Sequence, residues 1–550
     1  MINSNTLETV LHHLDAVLKR RMIEGLGPGL SLALTARKGL LGTRTYGVAN
    51  ENTREPVTDR TLFQIGSITK HFTAIACLRL VQQGLLDANA PVTDILDWFE
   101  VQSDFDVPIT FHHLLTHTAG LVMMMDSFPS SWWQTWALRD TSLGFEPGSR
   151  FSYSNVGYNV LQCVIQTITG KSFADSLHEL IFSPLGMTES YGEVSSALYP
   201  RMAQGHKVSA YDDRPASRSD RQHVVNWYEL SAGCASVVTT ASDLSIFLRM
   251  LLNEGRDGSG MQFLSPETFS LMVHPHAVME GFFEGTTQGY GVMIEQSADT
   301  DNQRRIIGGG ENLGFEAAMY GDFETGIGVV LFVNSFDVAW KETRWIMDVL
   351  RAAANGEVLP DWPHPSPQPS SHLGVRASEY VGTYKGSRGS FDIAEADGVL
   401  HLSANGVCGS LESQYGDNFS TDHPDFCHAM LSFGRDASGR VVEAFQLGDW
   451  YYTPWYDGPA FFDYPPEWDT YVGHYRSFGI LVTNFKIFIR KGALMMQAHS
   501  GYVDYELTQL EDVVFRSGSE ASPERLVFDC FAGGKALRCI LSGCGFYRVE

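Results

Sequence analysis

Apolar residues at Leu7, Val10, Leu11, Leu14, Val17 and Leu18 fall on one stripe at helical spacing, which predicts an amphipathic helix over Met1–Arg21. A second helical pattern runs through Ile75, Ala76, Cys77, Leu78, Leu80 and Val81. Helical and strand patterns then alternate as far as an apolar strand at Ile327–Asn334 and a helix at Val338–Ala354. Beyond this point the texture changes. Pro360, Pro363, Pro365, Pro367 and Pro369 stand among small and polar residues, a composition that favours an extended linker over a packed element. The C-terminal part of the chain is made of short alternating runs, such as Phe391–Ile393, Val399–Leu402, Ile480–Ile489 and Arg525–Cys530, separated by Gly, Asp, Asn and Ser. That is the pattern of antiparallel β structure. This half also repeats itself: Tyr380-Val381-Gly382-Thr383-Tyr384-Lys385 returns as Tyr471-Val472-Gly473-His474-Tyr475-Arg476. The period suits two copies of a small barrel of about eight strands. The expected organisation is an α+β domain over 1–355, a linker over 356–372, and antiparallel barrels over 373–463 and 464–550.

Composition narrows the function. Of the 550 residues 44% are hydrophobic, so the chain folds, and at this length it divides into several domains. Asp and Glu outnumber Lys and Arg by 64 to 39, a formal charge of −25, which repels phosphate backbones and anionic lipid surfaces. Neither nucleic acid nor membrane is an expected partner. The N-terminal stretch lacks the charged start and apolar run of a secretory signal, and no run reaches the roughly 20 apolar residues of a membrane span, so a cytoplasmic protein is expected. The cysteines at 77, 163, 234, 408, 427, 530, 539 and 544 form no C-x-x-C pair or zinc-like rhythm, and buried free thiols are expected.

Chemistry concentrates at Gln64-Ile65-Gly66-Ser67-Ile68-Thr69-Lys70. Three-residue spacing at a helix start puts a hydroxyl and an amine on one face, and a serine alcohol needs such a neighbour to become a nucleophile. Alone, S-x-x-K reads as a capping serine followed by a surface lysine. Its company is more specific. Pro28-Gly29-Leu30-Ser31 stands upstream, Leu114-Leu115-Thr116-His117-Thr118-Ala119-Gly120-Leu121 downstream, then Glu146-Pro147-Gly148-Ser149 and Tyr153-Ser154-Asn155. His113 and His117 are four apart on an expected helix, but no glutamate accompanies them as in H-E-x-x-H, so packing roles are expected and no metal.

In this order and at these spacings the motifs resemble the serine β-lactamase-related hydrolases, the group of class C β-lactamases, D,D-carboxypeptidases and esterases, over about residues 26–335. The resemblance implies a β-lactamase or penicillin-binding-protein fold with an antiparallel sheet flanked by helices. It implies Ser67 as the acylated nucleophile, Lys70 as its base partner, Tyr153 as a second proton-handling group, and Asn155 as the holder of Lys70 and of the substrate amide. In this group an edge strand carries Lys-Thr-Gly or His-x-Gly; the corresponding triplet here is Gly308-Gly309-Gly310, followed by Glu311, whose backbone N–H would complete the oxyanion hole. The basic residue is missing. Arg304 and Arg305 are candidates to replace it, with a surface role as the alternative. Met123-Met124-Met125 and the segment Phe128–Trp136 are either a packed helix or part of the substrate cleft.

The layout of a hydrolase domain followed by two barrels is similar to that of the bacterial D-aminopeptidases, which implies that the loop 516–523 with Glu520 reaches toward the substrate ammonium; a solvated turn is the other reading. The expectation is an acyl-enzyme amidase or aminopeptidase for small D-amino-acid amides or peptides, without cofactor. An esterase or acyltransferase, and a slowly turning over penicillin-binding or sensor-like protein, are the alternatives. Expected partners are a small-molecule amide, peptide or ester substrate, with a homodimer left open.

Overall fold

The computed structural model describes residues 3–125, 128, 130–208, 215, 222–279, 285–296, 304–335, 339–363, 377–479, 481–498 and 504–549. They form two compact units, the first of Met1–Lys207 with Gln222–Trp362, the second of Val208–Arg221 with Pro363–Glu550. No described helix is long and apolar enough to cross a membrane.

The first unit is an α+β layer structure. The N-terminal helix α1 spans Ser4–Ile23, capped by the Asn3 side chain, and buries Val10, Leu14, Val17 and Leu18. Met1, the expected start, lies outside the described residues. The antiparallel sheet runs, in spatial order, Glu55–Pro56, Gly39–Asn50, Gly29–Ala36, Ile327–Val333, Phe315–Asp322, Arg304–Asn312, Met293–Gln296, Thr286–Gln288 and Ala277–Val278. Its central strand Ile327–Val333 is buried at every residue, as its unbroken apolar run requires. On one face α1 and the helix Ala339–Asn355 form a shared core with these strands. On the other face, Leu248 and Leu252 of the helix Ala241–Leu252 press on Gly321 and Gly328 of the sheet. The expected start of the C-terminal helix at Val338 lies outside the described residues. Helix α2, Thr69–Gln82, is buried from Thr69 through Leu78 and so forms the centre of the unit rather than a surface stripe. Helix α5 (Asn155–Thr169) packs against it, and α3 (Phe111–Leu115) and α4 (Ser131–Ala137) pack against α5.

The beginning of the proline-rich segment is held on this unit. Trp362 is buried, its ring 5.4 Å from that of Trp345, and the Pro360 carbonyl accepts from Trp345 Nε1 at 3.2 Å. The rest of the expected linker, 364–372, lies outside the described residues.

The second unit holds two closed antiparallel barrels of eight strands each, from Gly382–Gly386 to Asp449–Tyr452 and from Gly473–Arg476 to Cys544–Arg548. The repeated Tyr-x-x-x-Tyr makes the same bond in each: Tyr384 OH donates to Tyr380 O at 2.9 Å and Tyr475 OH to Tyr471 O at 2.8 Å. Ile480 lies outside the described residues, and the expected strand after it is described as Asn484–Arg490.

Candidate active site

Ser67 sits in a short 3₁₀ turn, Gly66–Ile68, that feeds into α2. The turn depends on glycine twice. Gly66 has φ +48°, and a Cβ there would lie 2.5 Å from the backbone N of Glu311; a Cβ on Gly310 would lie 1.9 Å from Ile65 O and 2.7 Å from Ser67 N. The strand Arg304–Asn312 therefore packs backbone to backbone against the serine turn, which brings the N–H groups of Ser67 and Glu311 into one neighbourhood.

Lys70, only 3% exposed, is one turn further on. Its Nζ is 2.9 Å from Ser67 Oγ, 2.7 Å from Asn155 Oδ1 and 3.0 Å from the Cys234 carbonyl. Tyr153 OH lies 2.9 Å from the same Ser67 Oγ. The positions of Tyr153 and Asn155 follow from the start of α5: Ser154 caps it, accepting from Gly157 N at 3.1 Å and donating to Val122 O at 2.7 Å. The residues flanking that cap are thereby aimed at Ser67 and Lys70. The structure thus gathers Ser67, Lys70, Tyr153 and Asn155 around one hydroxyl, with Gly310 and Glu311 beside the serine backbone.

Neutral groups line the back of the cluster. The His117 ring stacks on Tyr153 at 4.4 Å and leans on Tyr158 at 4.9 Å. Its Nδ1 accepts from Ser154 N at 3.1 Å. Burial, with the Lys70 ammonium adding to it, holds its pKa well below the usual histidine value. Burial raises the Tyr158 phenol and pushes the Cys234 thiol up to about 11, so neither ionises at neutral pH. The expectation that His113 and His117 share a helix is corrected. α3 stops at Leu115, and His117 turns left-handed at φ 57° with its ring stacked on Tyr153. His113 instead closes the start of α3 by accepting from Thr110 N at 3.2 Å. Among the described residues no group of three or more His, Cys, Asp or Glu is arranged to hold a metal ion.

Position 308, where the resemblance implies a basic residue, is backed by other side chains. A Cβ at Gly308 would lie 3.0 Å from Met319 and 3.1 Å from the buried His71 ring, while one at Gly309 would run into the Trp340 ring. The two arginines expected as replacements are engaged elsewhere: Arg305 pairs with Glu295 at 3.1 Å, and Arg304 lies 5.7 Å over the Phe323 ring. Sequence reasoning missed Lys207. It lies on the strand Gly205–Val208, which joins the glycine strand's hairpin through His206 N donating to Gly314 O at 3.2 Å. Its ammonium, lowered by burial, feels the carboxylate of the exposed Glu311. Nothing in the local pattern around Lys207 signals this, because the contact is made across more than a hundred residues. The Cys234 carbonyl was equally invisible, being a backbone group.

Met123 stands at the rim: its carbonyl accepts from Asn155 N at 2.7 Å, and its side chain is 43% exposed. Trp132 and Trp133 on α4 are also exposed, so the aromatic segment is packed on one side only. Pro129 lies outside the described residues. Glu520, in the second unit, is exposed on the turn between the strands Val514–Ser517 and Arg525–Ala532.

A family model described as Beta-lactamase matches residues 14–354. The chain is 32% identical over 260 residues to Penicillin-binding protein 4 of Amycolatopsis lactamdurans, covering 44% of this chain and 65% of that protein. It is 34% identical over 196 residues to esterase EstB of Burkholderia gladioli, covering 32% and 48%. The chain thus spans less than two thirds of the length of these curated relatives. Two solved structures share the fold. The octameric penicillin-binding protein homologue from Pyrococcus abyssi has a TM-score of 0.56 at 21% identity, over 80% of this chain and 99% of that one. The D-amino acid amidase from Ochrobactrum anthropi SV3 has 0.51 at 24% identity, over 63% and 99%.

Proposed function

This chain belongs to the beta-lactamase family, and from that premise we propose that it is a serine hydrolase working through an acyl-enzyme on small amides or peptides whose acyl residue carries a free ammonium, D-amino acid amides foremost. The carrying observation is the one hydroxyl flanked by two proton carriers, Lys70 Nζ and Tyr153 OH, each 2.9 Å from Ser67 Oγ. Once Lys70 has given up its third proton, its amine keeps two hydrogens on Asn155 Oδ1 and the Cys234 carbonyl, and its lone pair faces Ser67 Oγ. As Ser67 attacks the carbonyl carbon, its proton passes to Lys70. Tyr153 hands a proton to the leaving nitrogen, the C–N bond breaks, and water releases the acyl group by the reverse path. The backbone N–H groups of Ser67 and Glu311 receive the oxyanion.

Substrate charge is argued from the same strand. The glycine at 308 supplies no side-chain cation to a substrate carboxylate, and a Cβ there would already crowd Met319 and His71, while the exposed Glu311 carboxylate beside the triplet favours an ammonium, its charge shared with the neighbouring Lys207. A second reading, ester hydrolysis on the same machinery, is favoured by the 34% identity to an esterase over 196 residues. Turnover of D- and L-phenylalanine p-nitroanilide, p-nitrophenyl acetate and benzylpenicillin separates these readings. The D-anilide is expected to exceed benzylpenicillin in kcat/KM by at least about tenfold. Ser67→Ala is expected to keep its fold and lose all turnover; a substantial residual rate would defeat the assignment.

A further inference from the structure

The two barrels correspond residue by residue. Tyr384 pairs with Phe391 and Lys385 with Tyr452 in the first, Tyr475 with Phe485 and Arg476 with Tyr547 in the second. Glu443 faces Tyr452 as Arg538 faces Tyr547. These registers put Glu379, Val381, Tyr384, Val441 and Thr453 in the places of Thr470, Val472, Tyr475, Ala536 and Arg548.

Where the second barrel closes, its own arginine fills the seam. Arg548 Nε donates to Ala536 O at 2.7 Å, Nη1 to Val472 O at 2.7 Å, and Nη2 to Thr470 O at 3.1 Å and Tyr475 OH at 3.0 Å. The first barrel has a threonine at that place, and the Thr453 hydroxyl turns back to Val442 O at 3.1 Å. The result is an open groove of about 650 Å³, lined by Glu379, Val381, Val441 and Thr453 and edged by Trp455 and Arg440. Three of these residues are the counterparts of those whose carbonyls hold Arg548. Trp455 is 65% exposed, and the Arg440 guanidinium lies 5.0 Å from its ring centre.

We propose that this groove binds a guanidinium group, the side chain of an arginine in a peptide or small molecule, through the carbonyls of Glu379, Val381 and Val441. In the second barrel a planar fork of five N–H donors satisfies the three matching carbonyls at once, and a ligand guanidinium would take that place in the first. Carbonyl oxygens repel an anion, and the chain's charge of −25 attracts a cation from a distance. Trp455 already carries the Arg440 guanidinium over its ring, and its 65% exposure leaves ring surface for a second cation. The groove's volume lies within the roughly 300–1,000 Å³ of small-molecule sites.

Calorimetric titration of the full-length protein with Nα-acetyl-arginine amide tests this, with the citrulline amide as the uncharged isostere. Saturable binding at least tenfold tighter than citrulline is expected. Thr453→Arg supplies the missing side chain internally and is expected to abolish the binding while raising Tm. Trp455→Ala, a surface change, is expected to weaken binding at least threefold, and it decides the matter if Thr453→Arg fails to fold. Both variants should keep wild-type hydrolysis, which separates this site from Ser67. Equal affinity for arginine and citrulline amides, no binding of either, or undiminished binding in Trp455→Ala or a folded Thr453→Arg overturns the proposal. So does tighter binding of Nα-acetyl-aspartate amide, which would assign the groove to Arg440.

Discussion

His71 follows Lys70 in the chain and is as deeply buried, yet the two neighbours have opposite surroundings. Lys70 has three oxygen partners, whereas the His71 ring nitrogens face the backbones of Ile307 and Ile68 and make no bond of good geometry. Burial pushes His71 down to about 4, so it is neutral in the folded protein at any pH where the unfolded chain, near the ordinary 6.5, begins to protonate. Between those values the unfolded state binds the extra proton. Stability contributed by His71 is therefore whole above 6.5 and lost as pH falls toward 4, by up to about 3 kcal/mol, with His117 acting in the same direction. Urea unfolding at pH 7 and pH 4.5 should show the drop, and His71→Leu should reduce it. Cysteine accessibility gives a second check at this scale. Burial pushes Cys77 up to about 12 and Cys163 to about 11, and Cys539 and Cys544 are enclosed in their barrel. Native thiol titration is expected to modify Cys408 and Cys530 fast, the half-buried Cys427 more slowly, and Cys234 only on unfolding, although it borders the site.

Between elements, the decisive contact is the one without side chains. The glycine strand can press its backbone onto the serine turn only because 66 and 310 carry no Cβ, and that contact sets where the backbone N–H groups of Ser67 and Glu311, the proposed oxyanion donors, stand. Gly310→Ala puts a methyl 1.9 Å from Ile65 O and must push the strand away from Ser67. The expected result is a fall in kcat of about 10² to 10³, the usual loss of one oxyanion donor, with KM much less affected. Steady-state kinetics on the best anilide or ester measures it; an unchanged kcat would show that the Glu311 N–H takes no part. The barrels have their own joint. Lys491, at φ 50°, reaches Glu443 at 2.9 Å and lies between about 5.3 and 5.8 Å from the rings of Phe445, Trp450, Tyr456 and Phe462, so one cation serves an ion pair and an aromatic box together.

For the whole molecule, the field of a chain at −25 adds to the local preference at Glu311. Long-range attraction of a cationic amide and repulsion of a penicillin carboxylate are both screened once the Debye length falls to a few ångströms near 1 M salt. The ratio of kcat/KM for a D-amino acid anilide over benzylpenicillin is therefore expected to shrink, without inverting, between 0.02 and 0.5 M NaCl. A ratio independent of salt would leave only short-range contacts as its source.

Periodicity and motif order were enough to find the N-terminal helix, the apolar central strand, the Ser67–Lys70 spacing, the Tyr153–Asn155 pair and the duplicated barrel pattern, because each depends on residues a few positions apart or on a repeat that is visible in the chain. The left-handed turn at His117 was not legible, since the ring it stacks on, Tyr153, lies 36 residues further along the chain. Nor were the Cys234 carbonyl at Lys70, Lys207 beside Glu311, or Met319 and His71 behind Gly308. Helix and strand patterns are written in local alternation, but burial, the partners of a carbonyl and the free space beside a glycine depend on segments far apart in the chain. For the same reason a threonine and an arginine at matching places in two similar barrels read as unrelated residues until strand pairing sets one over an open groove and the other in a filled seam.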